Sequence, residues 1–595
     1  MLFRSYNPVW HPDSKRIIFL SDREETPQIF IMNSGTGGDP EIITDFEISP
    51  SNINISPDGK YYSFTLEVNP DTLPNKADIK LDKAKAYIYE DLPARHWDQW
   101  IDDKYSHLFI MQFDEGEPVD INKGEKYDTP LKPFGGAEQI AWSPGGGEIA
   151  YTSKKVNDFA TSTNSDIYIY DLNKKETINI TAANPGYDMD PVYSPDGNYI
   201  AYHSQARAGY ESDKIRLMLY DRKTMAITDL TKNFPQWAGE FCWGPDSRTI
   251  YFSAVDSGKA KIFAADLKGN IKLIIHGMAN YGDKALLATN DGKSLIASKR
   301  NFNRPEELYL ISLQNPVTET RLTDINGEYF QDVKPVKFEE RWSKSSDGAK
   351  VHSWVVYPPD FDPKKKYPVI TYCQGGPQQP VSCFWSYGWN FLSMASKGYI
   401  VIATNRRGCP GFGQDWVDAI IKDYSGKPMD DIVSAVDDLA KEPFVDKNRI
   451  AAVGGSAGGY AVFWLEGNNN GRFRAFISHC GLFNMISKYG STEELWFPNN
   501  DNGGPYWENN NIEYYNRISP HMYVKNWKTP LLIFTGMLDF RVPYTQSLEA
   551  FTAARAQGIP SKIVVFPEEN HWVLKPQEQI LWYDEFFGFL SKYMK

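Results

Sequence analysis

No apolar run in this sequence reaches the ~18–20 residues that a membrane-crossing helix needs. Basic residues are in deficit: 63 Lys and Arg stand against 76 Asp and Glu, a net charge of -13. A surface of that sign repels the phosphates that a nucleic-acid binder must neutralise, so nucleic acid is not an expected partner. Cysteine is scarce, with Cys242, Cys373, Cys383, Cys409 and Cys480 the only five in 595 residues. Scattered, odd in number and without ligand spacing, they predict neither a disulfide framework nor a metal site, and no cofactor is expected. They leave the compartment undecided. The start, Met1-Leu2-Phe3-Arg4-Ser5-Tyr6, lacks a charged-then-apolar leader, so as written the chain carries no signal peptide and reads as cytoplasmic.

What is present is the composition of a globular protein, 41% hydrophobic and 23% charged. A chain of 595 residues exceeds what one core usually serves, so at least two domains are expected. Aromatics reach 14%, including 35 Tyr and 17 Trp, which suits short aromatic-rich strands.

Up to about residue 325 one phrase recurs: an aromatic or apolar residue, then Pro-Asp-Gly/Ser, then an apolar run. It stands at Trp10-His11-Pro12-Asp13-Ser14, Ile55-Ser56-Pro57-Asp58-Gly59, Trp142-Ser143-Pro144-Gly145-Gly146, Tyr193-Ser194-Pro195-Asp196-Gly197 and Trp243-Gly244-Pro245-Asp246-Ser247, with a degenerate copy at Ala288-Thr289-Asn290-Asp291-Gly292. Pro and Asp-Gly preset a tight turn, and the run after it reads as a strand. The copies begin 45, 87, 51, 50 and 45 residues apart. A period of that size predicts one four-stranded propeller blade per copy. Unrelated hairpins would not keep such spacing. The long gap holds extra residues at 66–105, among them His96-Trp97-Asp98-Gln99-Trp100.

After about residue 335 the pattern changes. Apolar strands at 367–372, 399–403, 450–453, 475–478 and 530–534 alternate with helical stretches such as 430–441. Strands separated by helices predict a mostly parallel sheet covered on both faces. The expected architecture is thus an N-terminal β-propeller over 1–330, with about six blade repeats visible, followed by an α/β-hydrolase domain over 331–595.

Gly454-Gly455-Ser456-Ala457-Gly458 lies between one of these strands and a helix-compatible stretch. In that context G-x-S-x-G is a nucleophile elbow, where small residues let the chain turn sharply and lift the serine hydroxyl above the sheet. A hydroxyl needs an imidazole to take its proton, and the imidazole needs an acid to fix its tautomer. In hydrolases of this type the chain order is Ser, acid, His. Asp539 sits just past the strand ending at Gly536; of the histidines after Ser456 (His479, His521 and His571), only His571 follows it. Ser456, Asp539 and His571 are therefore the expected catalytic residues. The oxyanion of a tetrahedral intermediate needs donors; the Ala457 backbone N–H is one, and the loop Gln374-Gly375-Gly376-Pro377 is placed to supply another.

Together, the propeller pattern, these motifs and the segments Cys373 to Pro380, Asn405-Arg406-Arg407-Gly408-Cys409-Pro410-Gly411-Phe412-Gly413, Glu494-Leu495-Trp496-Phe497 and Glu569-Asn570-His571-Trp572 resemble the prolyl oligopeptidase family of serine peptidases. The likeness covers nearly the whole chain and is nearest to the dipeptidyl peptidase V-type and acylaminoacyl peptidase branch. It implies short peptide substrates, Arg541 as a ligand for a substrate carbonyl, and an apolar pocket lined by Leu482, Tyr489 and Trp496; core packing is the plainer fate of those three. For release of dipeptides an acid must pair with the substrate's free amine, and Glu211 is the candidate, although a solvated loop glutamate is the plainer reading.

Three departures stand out. Ala457 replaces the Tyr that many relatives carry after the nucleophile, which keeps the backbone donor but removes a pocket wall. Gln374 stands where several branches have Tyr or His, which puts its side chain in question as an oxyanion donor and makes Gly375 N–H the substitute candidate beside it. Relatives of this type usually begin with a signal peptide and a further blade, and tend to be exported to the periplasm or beyond. Release of dipeptides is the leading expectation; acylaminoacyl peptidase or oligopeptidase activity and a non-catalytic scaffold are the alternatives. A homodimer is neither required nor forbidden by the sequence.

Overall fold

The computed structural model describes residues 4–35, 38–70, 83–113 and 116–595, so positions 71–82 of the long insertion lie outside the described residues. By contact the chain forms two units, Met1–Ala94 with Trp100–Leu230, and Arg95–Gln99 with Thr231–Lys595. The first contains four blades; the second contains two blades and the hydrolase sheet.

Six four-stranded antiparallel sheets, over 5–42, 51–120, 140–179, 188–229, 241–275 and 280–321, are the blades of a six-bladed β-propeller. The recurring phrase forms the turn between the first and second strands of each blade. In five of them an Asp carboxylate accepts the N–H two residues on: Asp13 from Lys15 (2.8 Å), Asp58 from Lys60 (3.2 Å), Asp196 from Asn198 (3.0 Å), Asp246 from Arg248 (3.0 Å) and Asp291 from Lys293 (3.1 Å). The next residue is left-handed, as at Gly197 (φ 71°). The 87-residue gap arises because the insertion leaves the second blade between its strands Tyr61–Val68 and Tyr105–Gln112.

The middle strands of the blades are buried on both faces, which explains their continuous apolar runs. In the fourth blade Ile200, Tyr202, Met218 and Tyr220 pack with Ile167 and Ile169 of the third, while the outer strand exposes Ile227.

The hydrolase sheet has eight strands: β1 (Phe338–Lys344), β2 (Lys350–Val356), β3 (Tyr367–Cys373), β4 (Ile400–Asn405), β5 (Val445–Gly455), β6 (Ala475–His479), β7 (Leu531–Gly536) and β8 (Ser561–Phe566). Their order is β1-β2-β4-β3-β5-β6-β7-β8, antiparallel at β1–β2 and β2–β4 and parallel from β4 onward. Alternation along each strand splits the core into two layers. Ile400, Ile402, Ile450, Phe476 and Ile533 face the layer of α1 (Lys427–Leu439), α2 (Ala457–Asn468) and α3 (Thr545–Ala556). Val401, Ala403, Val453, Ile477 and Phe534 face that of α4 (Pro576–Tyr593), which contributes Trp582, Phe586 and Leu590. Among the described residues no helix is long and apolar enough to cross a membrane.

Two stability effects follow. A methyl added at Gly197 would meet nothing closer than 3.8 Å, so Gly197→Ala pays only for the left-handed backbone. It should lower the urea-unfolding free energy by about 1–2 kcal/mol, and Gly197→Asn by less; an Ala variant as stable as wild type would remove the backbone explanation. On α2, Glu466 is 2% exposed; its Oε1 accepts from the N–H groups of Lys528 (2.9 Å) and Thr529 (2.7 Å), while Oε2 has no hydrogen-bond partner among the described residues. Burial pushes this carboxyl up to about 8 from 4.5. The folded state therefore holds a proton that the unfolded chain releases between these values, and stability falls as pH rises across that window. Glu466→Gln keeps the acceptor without the charge, so its Tm advantage over wild type should grow from near zero at acid pH to its largest above pH ~8.

Candidate active site

Ser456 stands between the end of β5 and the start of α2, with φ 56° and ψ -122°, a conformation that non-glycine residues avoid. The turn is held by what surrounds it. The Ser456 N–H donates to the His479 carbonyl at the end of β6 (2.8 Å), and the Ser456 carbonyl accepts from Tyr460 N–H (2.8 Å). A Cβ at Gly458 would stand 2.1 Å from the Cys373 carbonyl oxygen of β3, so only glycine allows α2 to begin this close to the sheet.

The acid and the imidazole come from the loops after β7 and β8. His571 Nδ1 meets Asp539 Oδ2 at 2.6 Å, and Asp539 Oδ1 accepts from Val542 N–H at 2.8 Å. Asp539 is fully buried and His571 nearly so. An ionised carboxylate there can only accept, which places a proton on Nδ1 and leaves Nε2 as the basic nitrogen. A second imidazole backs the first. His479 Nδ1 accepts from Trp582 Nε1–H (3.2 Å), so its Nε2–H donates to the His571 carbonyl (3.2 Å). Burial, with His571 nearby, lowers His479 to about 4, so it stays neutral and keeps this tautomer at neutral pH. His479 thus ties the Ser456 turn, through its own carbonyl, to the His571 loop.

The loop 374–377 lies against the turn: a Cβ on Gly375 would be 2.9 Å from Gly455 O and 3.7 Å from Ser456 Cβ. Arg406, 1% exposed, holds it in place. Its guanidinium donates to the carbonyls of Gln374 (3.1 Å), Pro377 (3.1 Å) and Arg407 (2.9 Å). Gln374 is 8% exposed, and its Oε1 has no hydrogen-bond partner among the described residues. Beside it, Arg407 pairs with buried Asp431 (2.6 Å) and with Asp347, and these carboxylates hold its pKa above the usual arginine value despite burial.

Arg541, just past Asp539, is gripped by two acids. Its Nε donates to Glu493 Oε1 (2.5 Å) and its Nη2 to Glu494 Oε1, and the Thr492 hydroxyl donates to its carbonyl (3.0 Å). Both glutamates are almost fully buried, whereas the Arg541 side chain keeps 23% exposure. Of the expected pocket residues, Leu482 and Tyr489 pack in the α2-side core, Tyr489 donating to Asn499 Oδ1 (2.8 Å), and Trp496 is buried at the start of the helix Trp496–Asp501. Glu211 belongs to the first unit; its side chain is exposed, and its backbone carbonyl accepts from Gln205 Nε2 (2.7 Å). Sequence reasoning had no role for His479, the Glu493–Glu494 pair or the arm of Arg406. His479 ends β6, and Arg406 and Glu494 fall in segments already singled out, whereas Glu493 carried no such signal.

The grip of Arg406 is testable. Arg406→Met strands three carbonyls and frees the loop, and should lower turnover of p-nitrophenyl acetate by about 10²-fold, the size expected when an oxyanion donor is displaced. Arg406→Lys cannot fork across the same carbonyls and should recover little. Normal turnover in a folded Met variant would dismiss the loop as a donor.

Residues 385–595 match the model of the prolyl oligopeptidase family. Dipeptidyl-peptidase 5 of Porphyromonas gingivalis is 43% identical, over 99% of this chain and 86% of the relative. Dipeptidyl-peptidase 5 of Porphyromonas endodontalis is 39% identical, over 99% and 85%. Among solved structures, acylaminoacyl peptidase from Pyrococcus horikoshii shares the fold, with a TM-score of 0.81 at 22% identity, over 99% of this chain and 89% of that one. With a relative this similar along nearly its entire length, and an elbow, acid and imidazole at the ends of the expected strands, the chain belongs to the prolyl oligopeptidase family and is a serine-type peptidase.

Proposed function

We propose that this peptidase releases dipeptides from the free N-termini of short peptides through an acyl-enzyme on Ser456. The observation that carries the reading is the buried 2.6 Å contact between His571 and Asp539, in the same unit as the strained Ser456 turn. In this reading residues 1–330 form the propeller domain and 331–595 the peptidase domain. Ser456 Oγ attacks the scissile carbonyl as His571 Nε2 takes its proton, and Asp539 steadies the imidazolium that forms. The N–H groups of Ala457 and Gly375 receive the oxyanion. His571 then protonates the departing amine, and water returns along the same path to free the dipeptide and restore the serine. Arg541, braced by Glu493 and Glu494, binds the carbonyl one residue before the cleavage site, while Leu482, Tyr489 and Trp496 surround the adjacent side chain.

Removal of dipeptides from free termini accords with the names of the Porphyromonas relatives. The amine anchor in this reading is Glu211. A second reading, hydrolysis of N-acylated peptides, draws on the exposure of that same residue: a solvated carboxylate holds an ammonium weakly, so a blocked terminus would lose little.

Two measurements separate these readings. A fluorophosphonate probe should label the wild type and not Ser456→Ala; equal labelling of both would remove Ser456 as nucleophile. Free dipeptidyl anilides should be cleaved with at least ~10-fold higher kcat/KM than their N-acetylated forms, the effect of about 1.4 kcal/mol in an amine contact. Preference for the acetylated form would establish the second reading instead.

A further inference from the structure

The insertion that leaves the second blade sends one short segment, Arg95–Gln99, into the unit that carries the hydrolase sheet. Four successive residues of it touch the loops that build the site. Arg95 donates to the Ser491 carbonyl (2.7 Å), and its guanidinium lies 4.6 Å from the Phe540 ring centroid, on the loop between Asp539 and Arg541. His96 Nε2 stands 3.7 Å from Glu493 Oε2. Asp98 Oδ2 accepts from Asn570 Nδ2 (2.9 Å), directly before His571. Trp97, 7% exposed and left-handed at φ 58°, is the centre of the set. Its carbonyl accepts from Phe540 N–H (3.1 Å). Its indole meets the His571 imidazole edge-on at 5.8 Å, packs on Trp572 at 4.6 Å, and faces the Arg541 guanidinium at 5.1 Å.

We propose that Trp97 is a positioning residue of the active site, and that its indole holds Arg541 for the substrate carbonyl while bracing the ring of His571. This rests on the roles given above to Arg541 and His571. The physical basis is the geometry of the guanidinium. Two carboxylates fix its Nε and Nη2 edge in its own plane, but they do not stop it tilting about that edge. An aromatic face against the plane does, and attracts the cation through the ring quadrupole. The same indole stands at 71° to the imidazole, and there it limits rotation of His571 about the Asp539 contact. A buried tryptophan with a positive φ also costs backbone strain, which persists only where the surrounding contacts over-determine it, and the contacts of this segment supply that.

The test uses the full-length chain with a free dipeptidyl anilide, comparing Trp97→Phe, Trp97→Leu and Trp97→Ala, each alone and with Arg541→Ala. Phe keeps a ring face, and should stay within about 3-fold of wild type in KM; Leu fills the space without one, and should raise KM by about 5- to 30-fold, the range of a partly desolvated cation–π contact. In the Arg541→Ala background, Trp97→Leu should raise KM no further, while kcat still falls because the contact with His571 is separate. A role in packing alone would instead make Phe and Leu equivalent, or make the KM effects of Trp97→Leu and Arg541→Ala multiply; either result overturns the proposal. So would KM and kcat within 2-fold of wild type for Leu or Ala. If Ala does not fold, the Phe and Leu pair still decides. Failure of the underlying reading looks different: the wild type itself would then resist the fluorophosphonate probe, or Arg541→Ala alone would leave KM unchanged.

Discussion

The whole site is arranged around one steric constraint: the backbone at Ser456 is left-handed, and three strands close around it so that it has no easier conformation. The Cys373 carbonyl of β3 occupies the space where a side chain at position 458 would go, and the His479 carbonyl of β6 takes the Ser456 N–H. Strain at a single residue costs of order 1–3 kcal/mol and survives only in such surroundings. The hydrophobic work is done a layer below, where alternate residues of β4 to β7 anchor the sheet between α2 and α4. The parallel sheet is therefore less a container for the chemistry than the jig that keeps its strand ends in register.

Charged groups divide the remaining work, each by its shape. Arg406 uses a planar fork to gather carbonyls that would otherwise be orphaned under the loop 374–377. Arg407 pairs with Asp431 and Asp347, and so ties α1 to the turn between β1 and β2. Arg541 is tethered by its acids on one edge and remains partly exposed. Lysine could not replace any of the three without loss of geometry. The two imidazoles at the site likewise differ by environment: His571 lies against a carboxylate, and His479, sealed behind Trp582, is kept neutral by burial.

The blades were legible because their turns are local. Pro-Asp-Gly sets a turn within four residues, and its copies declare the period without any knowledge of what packs on them. The change from four-stranded sheets to the α/β sheet was legible for the same reason, from the switch between hairpin spacing and strand–helix alternation. Ser456, Asp539 and His571 could be singled out because the hydrolase fold sets the order in which nucleophile, acid and imidazole follow its strand ends, here β5, β7 and β8. What could not be read has its cause at a distance. Glu493 and Glu494 look like solvated acids until Arg541 is set beside them, and His479 looks like a strand-end residue until Trp582 arrives from α4. The cluster at 96–100 was visible as an oddity, but Trp97 and Asp98 gain meaning only from loops far along the chain.

The segment Arg95–Gln99 has a consequence in time as well as in space. Its contacts join residues 396 and 472 positions apart, Arg95 to Ser491 and Asp98 to Asn570. A ribosome adding roughly 5–20 residues per second makes this segment on the order of tens of seconds before the loop it meets. Trp97, with its apolar surface and costly backbone, must therefore wait on a partly assembled propeller for a partner not yet translated. His571 is also made after Ser456 and Asp539, so the nascent chain cannot bring the three together until residue 571 has been added.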